Sequence, residues 1–574
     1  MEADRKNYKR NALLRLAIIV GIVVFVNLVS GYVHGFLDLT EDKRFTLSEP
    51  TKKLVDGIEE IIFIRVLLEG DFPAGFKRLQ ASTEEILRDI KGRNSNIQYV
   101  FEDPTVGTTE EITNKRDQLA SMNVAPTALK YFNGVEFVQK AIYPVAIVSL
   151  GQRNVVVPLL EEQLPGMDEN LVLNNSVALI EYKFANAIQK LLKSERQNIG
   201  LSADHGEMSK ELTQKMEREL RKFYNIGRFY LDSVVSIDPK LDLLMIIAPK
   251  KPMNDKNQFK LDQYIMNGGK VIWMIEKFDA SLDSIAKYQF YVPRDYDLGF
   301  EDMLFKYGVR VQPNLIMDLE STSIPQIVGM SGDKPQTMMF KWPYHPLISS
   351  KSEHPIVKNI DKVNMAFPSS IDTLSAPGSK VRKTVLLSTS PYSKLQFNPM
   401  RLNFEMLKTA PDPSKFDKKS LPVAVLLEGE FESAFKNRVS AEFQKTLDVM
   451  GTPFKEKSVP TKQIVISDSD FMKSLPNIRT GETEEIGFNK WEFKYFKGNK
   501  DFIINAVEYM LDESGVLSAR SREVKLRMLD AVRTKSEKKY WQTLNIIVPL
   551  VFLAIFGFGF NYLRRRKYAQ AKRN

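Results

Sequence analysis

The chain has 574 residues, of which 43% are hydrophobic and 26% are charged, an ordinary composition for a folded protein. A chain of this length exceeds what one hydrophobic core can organise and should divide into about three or four units. It contains no cysteine, which excludes disulfides, thiolate metal sites and cysteine nucleophiles.

The net charge of +10 is concentrated at the two ends of the chain. Residues 1–15 contribute +3 and the last eleven residues contribute +6, which leaves +1 for everything between them. A nucleic-acid-binding domain needs a clustered basic surface. We therefore expect no nucleic-acid partner.

The first predicted element is an apolar stretch at residues 12–33, ALLRLAIIVGIVVFVNLVSGYV, which follows a short tail at residues 1–11. About twenty helical residues cross the ~30 Å hydrocarbon core, and Arg15 can extend to the headgroups. The stretch therefore predicts a transmembrane helix. A cleavable signal peptide is the alternative, although no A-x-A-like cleavage motif follows the apolar run.

Residues 46–165 predict a small α/β module. The pattern gives a strand at 61–68, a helix through 76–90, a strand at 96–104, a helix near 109–121 and a hairpin that turns at 151–154. This βαβαββ order, with a long helix after it at about 170–193, is typical of a thioredoxin-like module. Because the CxxC motif is missing, we expect no redox chemistry.

Residues 170–510 predict a larger α/β domain with a mainly parallel sheet. Strand-like and helical segments alternate, and LDLLMIIAPK and KVIWMIE have the continuous apolar character of strands that are buried on both faces. Ligands of such sheets bind at the loops after the strands. From about 285 to 420 the chain is rich in loops and prolines, which predicts an insertion or lid.

One phrase occurs twice in the chain. Residues 66–77 read VLLEGDFPAGFK, and residues 425–436 read VLLEGEFESAFK. In both copies a strand-like run ends at glycine, and an acidic residue and a phenylalanine follow. The simplest interpretation is similar strand-exit chemistry at two sheets; related modules and paired docking edges are the alternatives.

Residues 516–540 form a basic segment before a second apolar stretch. Over residues 516–539 eight lysines and arginines oppose three acids, a net charge of +5. Such a segment favours a helix that contacts anionic headgroups or a membrane partner, and a solvated stalk is the alternative. The residues we expect to dock are Arg520, Arg522, Lys525, Arg527, Arg533, Lys538 and Lys539.

The last predicted element is a second transmembrane helix at residues 541–563, WQTLNIIVPLVFLAIFGFGFNYL, which has no charged residue and has aromatic residues at both ends. A basic tail at residues 564–574 follows it. Because basic flanks stay in the cytoplasm, both termini are predicted to be cytoplasmic and the large domain periplasmic, at a bacterial inner membrane. The reverse orientation is the alternative.

Two groups of residues are candidates for binding. Asp204, His205 and Glu207 lie in a loop after a predicted buried strand, where they could contact a ligand or a partner, take part in acid–base chemistry, or cap the loop. Trp342 and Tyr344 could form a sugar-stacking platform or pack in a core. We expect no metal site, no cofactor and no catalytic residue.

Several stretches together resemble one known family. They are DLTEDKRFTLSEPTKKLV, LLEGDFPAGFKRLQ, DLLMIIAPKKP, LDQYIMNGGKVIWMIE, HPIVKNI, PVAVLLEGEFESAFKNR and GNKDFIINAVEYMLDE. In combination they look like the GldG family, the gliding-motility-associated ABC transporter auxiliary proteins of Bacteroidota. The resemblance implies an inner-membrane subunit that works with a GldA-like ATPase and a GldF-like permease.

The same resemblance implies that the larger domain is distantly similar to class I glutamine amidotransferases. The nucleophilic cysteine of those enzymes is missing here, so their chemistry does not carry over. The sequence also lacks a G-x-x-x-x-G-K-[ST] phosphate loop, so ATP hydrolysis would belong to another chain.

The leading hypothesis is therefore a non-enzymatic, membrane-anchored auxiliary subunit whose periplasmic domain binds or gates a substrate or partner. The alternatives are a membrane-tethered hydrolase of envelope glycans and a structural scaffold of surface machinery.

Overall fold

The computed structural model describes residues 15–22, 24–25, 46–122, 124–132, 136–161, 169–193, 195–288, 290–374, 378–449, 451–477, 481–512, 514–521 and 531–569. The chain divides into two compact units, Met1–Glu523 and Val524–Asn574. Of the first predicted span, residues 15–22 and 24–25 are described and are helical. The rest of that span and the tail at residues 1–11 fall outside the described residues, whereas residues 564–569 of the C-terminal tail are described and are helical.

The N-terminal part of the first unit is a four-stranded mixed sheet with helices packed on it. Strands β1 and β2 are parallel, β5 is antiparallel to β1, β6 is antiparallel to β5, and the strand order is β2-β1-β5-β6. The elements are α1 Glu49–Asp56, β1 Ile62–Val66, α2 Ala74–Arg93, β2 Ile97–Phe101, α3 Thr109–Ser121, β3 Thr127–Phe132, β4 Phe137–Ile142, β5 Val145–Leu150, β6 Arg153–Pro158, α4 Glu169–Ala178 and α5 Ile180–Leu192.

Most of these elements agree with the expected order. The helix at 109–121 begins at a capping box, in which the Thr108 hydroxyl accepts from the Glu111 backbone and the Glu111 carboxylate accepts from the Thr108 backbone. The predicted turn after residue 150 joins β5 to β6. The separate hairpin of β3 and β4 was missed by the sequence analysis.

The chain then enters the larger domain, where strands and helices alternate as expected. The elements are β7 Asn198–Ser202, α6 Lys210–Arg221, β8 Asn225–Phe229, β9 Leu243–Ile247, α7 Asp255–Met266 and β10 Lys270–Met274.

The next segment contains short strands and one long hairpin. Its elements are α8 Leu282–Lys287, α9 Glu301–Tyr307, β11 Val309–Val311, β12 Asn314–Asp318, β13 Ser321–Ser331, β14 Lys334–Ile348, β15 Val363–Asn364, β16 Ile371–Thr373, β17 Arg382–Ser388 and β18 Ser393–Phe397.

The remaining elements complete the domain and lead to the second unit. They are β19 Pro422–Gly429, α10 Ala441–Val449, β20 Thr461–Ile466, β21 Phe488–Asn489, β22 Lys494–Tyr495, α11 Lys497–Leu511, a 3-10 turn at Val516–Ser521, and α12 Ala531–Ala569.

The larger domain is built on a seven-stranded sheet with the order β17-β19-β20-β10-β9-β7-β8. Strands β8, β7, β9, β10 and β20 run parallel to one another, and β19 is antiparallel to both β20 and β17. The prediction of a mainly parallel sheet is therefore confirmed, with one strand reversed.

Both faces of this sheet are covered, as the apolar run of β9 predicts. Leu243 and Met245 pack in one core, while Leu244 and Ile246 pack in the core on the opposite face. Successive side chains of a strand point to opposite faces, so a strand that is apolar at every position needs a cover on each side.

The segment from 285 to 420, predicted as an insertion or lid, is packed into the larger domain. It supplies the edge strand β17 of the main sheet. It also contributes Ile316, Ile348 and Leu386 to the same core that holds alternate residues of β9. The segment from 285 to 420 is thus an integral part of the larger domain.

The repeated phrase marks the ends of two strands. Gly70 follows β1 with φ +136°, and Gly429 ends β19 with φ +139°, a backbone conformation that favours glycine. The phenylalanines that follow, Phe72 and Phe431, are both buried. The copies therefore share strand-exit geometry, although a helix follows the first and turns follow the second.

We expect Gly429→Ala to lower the stability of the protein by about 1–3 kcal/mol, because a Cβ there would combine a strained φ with a clash against the Lys380 backbone carbonyl. Gly227→Ala is the matched control, since a Cβ at that strand position meets nothing within 4 Å. Thermal unfolding of the full-length protein measures both. Equal melting temperatures for the two variants would contradict the explanation.

Candidate functional site

The strands of the main sheet direct several polar loops to one edge. The chain leaves β7 toward β8 on one side and later returns to β9 on the other side, so β7 and β9 flank the point where the strand order reverses. Ligands of doubly wound sheets bind at this point, beyond the carboxyl ends of the strands. The loops there contain residues 203–207 and 248–252.

The Glu207 carboxylate is bonded within its own loop. It accepts a hydrogen bond of 2.5 Å from the Ser202 hydroxyl and one of 2.6 Å from the His205 backbone N–H, and its side chain is 1% exposed. Burial alone would raise the pKa of Glu207, but the hydrogen bonds from His205 and Ser202 outweigh it and lower the pKa. Glu207 thus stays ionised as an internal acceptor.

His205 and Asp204 fasten this loop to its neighbours. The His205 carbonyl accepts hydrogen bonds from the backbone N–H groups of Lys250 and Lys251, which joins the loops after β7 and β9. The Asp204 carboxylate accepts from the Asp232 backbone at 3.1 Å. These contacts agree with the loop-capping interpretation of Asp204, His205 and Glu207; ligand or partner contact there stays a prediction.

Trp342 and Tyr344 lie in a core rather than on an open surface. Their exposed fractions are 0% and 2%, and their rings pack against Phe404 and Phe367. Because neither ring face is open, the two residues do not form the sugar-stacking platform that the sequence suggested.

A group of carboxylates that sequence analysis missed lies two strands further along the same edge. Glu276 follows β10, and Asp468 and Asp470 follow β20, the strand that pairs with β10. One carboxylate oxygen from each lies within 4.8 Å of the others. Nearly two hundred residues separate the two segments, so only the pairing of β10 with β20 brings the acids together.

Burial governs the charge of this cluster. Burial and the nearby Asp470 raise the pKa of Glu276 to about 7, and burial together with Glu276 raises the pKa of Asp468. Ser469 donates to Glu276 through its N–H at 2.7 Å and its hydroxyl at 2.6 Å. The ammonium of Lys473 pairs with Asp470.

The cluster can hold a proton or a cation. Carboxylate oxygens are the ligands that Mg²⁺ and Ca²⁺ prefer. Lys473 already supplies one positive charge, which partly offsets the repulsion between the three acids. The arrangement is a group of three acids, one buried and two half-buried, near the edge where ligands of such sheets bind.

Of the basic segment predicted to dock at the membrane, residues 516–521 and 531–540 are described. Arg520 belongs to the globular unit: its side chain is 14% exposed, pairs with Asp501 at 3.0 Å and lies over the Tyr182 ring. Arg520 is thus held inside the domain by these contacts, and docking of this residue at the membrane or permease stays a prediction. Arg522, Lys525 and Arg527 fall outside the described residues, and Arg533, Lys538 and Lys539 lie on α12.

Together, the main sheet and its polar edge define a mixed α/β protein of the doubly wound type. A family model described as "ABC-type uncharacterized transport system" matches residues 196–506, more than half of the chain. The chain belongs to this ABC transporter auxiliary family, which indicates an auxiliary role in an ABC transport system. A second model, described as a domain of unknown function, matches residues 41–149.

Individual relatives add little about function. An uncharacterized protein of Borreliella burgdorferi is 20% identical over 590 residues, which cover 98% of this chain and 99% of the relative. The solved mmIFT52 N-terminal domain is 11% identical with a TM-score of 0.29 and covers 55% of this chain and 96% of that domain. A ThuA-like protein of Bacteroides uniformis is 9% identical with a TM-score of 0.25, covering 56% and 94% respectively.

The raised pKa of Glu276 predicts a pH dependence of stability. The folded pKa of about 7 lies above the ordinary value of 4.5, so the folded protein binds the extra proton and loses stability as the pH rises through this window. Glu276→Gln removes this titration. We expect the melting temperature of the variant to fall less than that of the wild type from about pH 5 to about pH 8.

Glu59→Gln is the control for this experiment, because Glu59 is exposed and far from the cluster in sequence. Its melting curve should follow that of the wild type at every pH. A Glu276→Gln curve that also runs parallel to the wild type would contradict the raised pKa of this acid.

Proposed function

We propose that the protein is a membrane-anchored, non-enzymatic auxiliary subunit of an ABC transport complex linked to gliding motility. It works with a GldF-like permease and a GldA-like ATPase, and its periplasmic domain binds or gates a substrate or partner. The match of the family model over residues 196–506 carries this proposal. The missing phosphate loop agrees with it, because ATP would then be hydrolysed by another chain.

The proposed anchor is the apolar part of α12. Among the described residues, Tyr540–Arg566 is the one helix long and apolar enough to cross a membrane, and none of its apolar window is buried. Its 27 residues correspond to about 40 Å of helix, which exceeds the ~30 Å hydrocarbon core. Three arginines, Arg564 to Arg566, support a cytoplasmic C-terminus.

The N-terminal module is proposed to be thioredoxin-like and to serve in binding rather than redox chemistry. Two parallel strands followed by an antiparallel pair, in the order β2-β1-β5-β6, support this assignment. A non-catalytic role also fits the larger domain, where the loop after β7 uses Glu207 and Asp204 for internal hydrogen bonds. On α12, Arg533, Lys538 and Lys539 remain the proposed contacts with the membrane or permease.

Insertion of α12 predicts a specific loss of partners. Leu553→Arg with Phe556→Arg places two charges at the centre of the proposed span, at a cost of about 3 kcal/mol each. We expect the permease and ATPase to co-purify from detergent-solubilised membranes with the wild type and to be strongly depleted with the double variant. The measurement is quantitative mass spectrometry of the tagged, purified complexes.

Val449→Arg is the matched control, since this apolar side chain is 90% exposed on α10 in the other unit. It should leave co-purification unchanged. If the double variant retained both partners at wild-type levels, docking through α12 would be wrong.

The proposed orientation predicts a protease-protection pattern. In spheroplasts of cells that produce the full-length protein, an epitope inserted at the exposed turn Gly332–Asp333 should be digested by added protease. An epitope after Asn574 should be protected until the membrane is permeabilised. Digestion of the C-terminal epitope in intact spheroplasts would refute the proposed orientation.

A further inference from the structure

A cleft lies at the carboxyl end of β10, the central strand of the main sheet. It has a volume of about 460 Å³. Ile275 and Lys277, which follow β10, contribute to its lining, together with residues of α9 and β11. Small-molecule sites commonly have this size, and ligands of such sheets bind beyond the carboxyl ends of the strands.

One part of the lining is apolar. It includes Ile275, Leu298, Phe300 and Leu304, which are each at most 2% exposed and belong to the hydrophobic core on this face of the sheet. Phe305 also lines the cleft, but its side chain is 51% exposed. The ring of Phe305 is therefore available to pack against an apolar part of a ligand.

The buried cation of the cleft is already neutralised. The Lys277 ammonium pairs with Asp295 and with Glu301, at 3.0 Å in each case, and the lysine side chain is 9% exposed. It also donates to the Tyr296 carbonyl at 3.1 Å. Burial would lower the pKa of Lys277, but the two carboxylates outweigh it and raise the pKa. One cation and two carboxylates thus form a fixed group with a net negative charge.

Among the described residues, two further charges at the cleft have no such partner. Asp302 on α9 and Arg310 on β11 both line the cleft and are exposed, and neither is held in an ion pair by the part of the chain that the structure describes. Asp372 lies opposite Arg310 in the pair of β11 and β16, but its carboxylate accepts a hydrogen bond from the Gln312 amide. One anionic and one cationic group of the lining can therefore bind a ligand.

The charges of the lining decide the chemistry of that ligand. The lining as a whole holds three carboxylates and two cations, so a purely anionic ligand is disfavoured. An arginine binds a carboxylate through paired, charge-assisted hydrogen bonds, and an aspartate accepts such bonds from an ammonium. A ligand that satisfies Arg310, Asp302 and Phe305 carries a carboxylate, an ammonium and an apolar portion, which is the pattern of an amino acid or a short peptide.

We propose that this cleft binds a zwitterionic ligand with an apolar side chain, in which Arg310 takes the carboxylate and Asp302 takes the ammonium. Phe305 packs against the apolar side chain of the ligand. A free amino acid and a short peptide present the same two end groups, and the volume of the cleft accommodates either.

This site rests on the proposed function, because it gives a ligand class to the domain that binds or gates a substrate there. The two fail separately, since ligand binding is measured on the purified protein alone. Loss of the co-purified permease and ATPase would leave ligand binding unchanged, and absence of ligand binding would leave co-purification unchanged.

The test uses the full-length protein in neutral detergent micelles and two probes, phenylalanine and the dipeptide alanylphenylalanine. A ligand that binds the folded state raises the melting temperature, and the dependence of this rise on ligand concentration gives an apparent affinity. A shift with phenylalanine identifies an amino-acid site, and a shift with the dipeptide alone identifies a peptide site; either supports the proposal. The amide and the N-acetyl derivative of the active probe each lack one charge, and we expect each to bind about tenfold more weakly.

Two variants assign the end groups of the ligand. Arg310→Gln should weaken the apparent affinity for the active probe by about tenfold and leave the affinity for its amide unchanged, because the amide has no carboxylate. Asp302→Asn should weaken the active probe by a similar factor and leave its N-acetyl derivative unchanged, because that derivative has no ammonium. Both side chains are exposed, so the fold should tolerate either change.

Arg116→Gln with Asp117→Asn is the matched control. It removes the same two charge types from exposed positions on α3, and neither residue lines the cleft. The control should bind the active probe as tightly as the wild type does.

Three results would overturn the proposal. One is the absence of a shift with both probes. Another is a blocked derivative, either the amide or the N-acetyl form, that binds the wild type as tightly as its parent. The third is an affinity for the active probe in Arg310→Gln and Asp302→Asn that equals the affinity of the control.

Discussion

The arrangement of the first unit depends on one carboxylate, that of Glu508 on α11. It accepts hydrogen bonds from the Tyr182 hydroxyl at 2.7 Å and the Asn186 amide at 2.9 Å, and it pairs with Lys190 at 2.7 Å. These three residues recur every four positions, so they form one face of α5. The opposite face of α5, with Phe184, packs in the core of the N-terminal module. Helix α5 thus holds the module against the larger domain.

Much of the fold follows from local patterns in the sequence, and the features that the sequence analysis did not predict have physical causes. The apolar run of β9 indicated a strand buried on both faces because every position needs a cover. The reversal of β19 could not be foreseen, since alternation says nothing about strand direction. The β3–β4 hairpin did have a signal, because Asn133-Gly134 between alternating segments is typical of a tight hairpin turn.

The candidate sites were harder to predict than the fold because burial and long-range pairing decide them. Tryptophan and tyrosine are the residue types that form stacking platforms, but hydrophobic cores use the same types, and Trp342 and Tyr344 lie in a core. In the sequence, Arg520 belongs to a basic segment before the second apolar stretch. In the structure, it pairs with Asp501 inside the domain. The acid cluster requires Glu276 to meet Asp468 through strand pairing, which composition does not reveal.

The pairing of β10 with β20 also constrains how the chain reaches its native state. The register pairs Trp273 of β10 with Val465 of β20. Almost two hundred further residues must therefore be synthesised after β10 before its second neighbouring strand is present. Until then one edge of an apolar strand offers unpaired backbone groups, which are a template for aggregation. A long contact of this kind also slows folding. Fragments that end before Thr461 should therefore be poorly soluble. The nascent chain should need protection from aggregation until β20 has been synthesised.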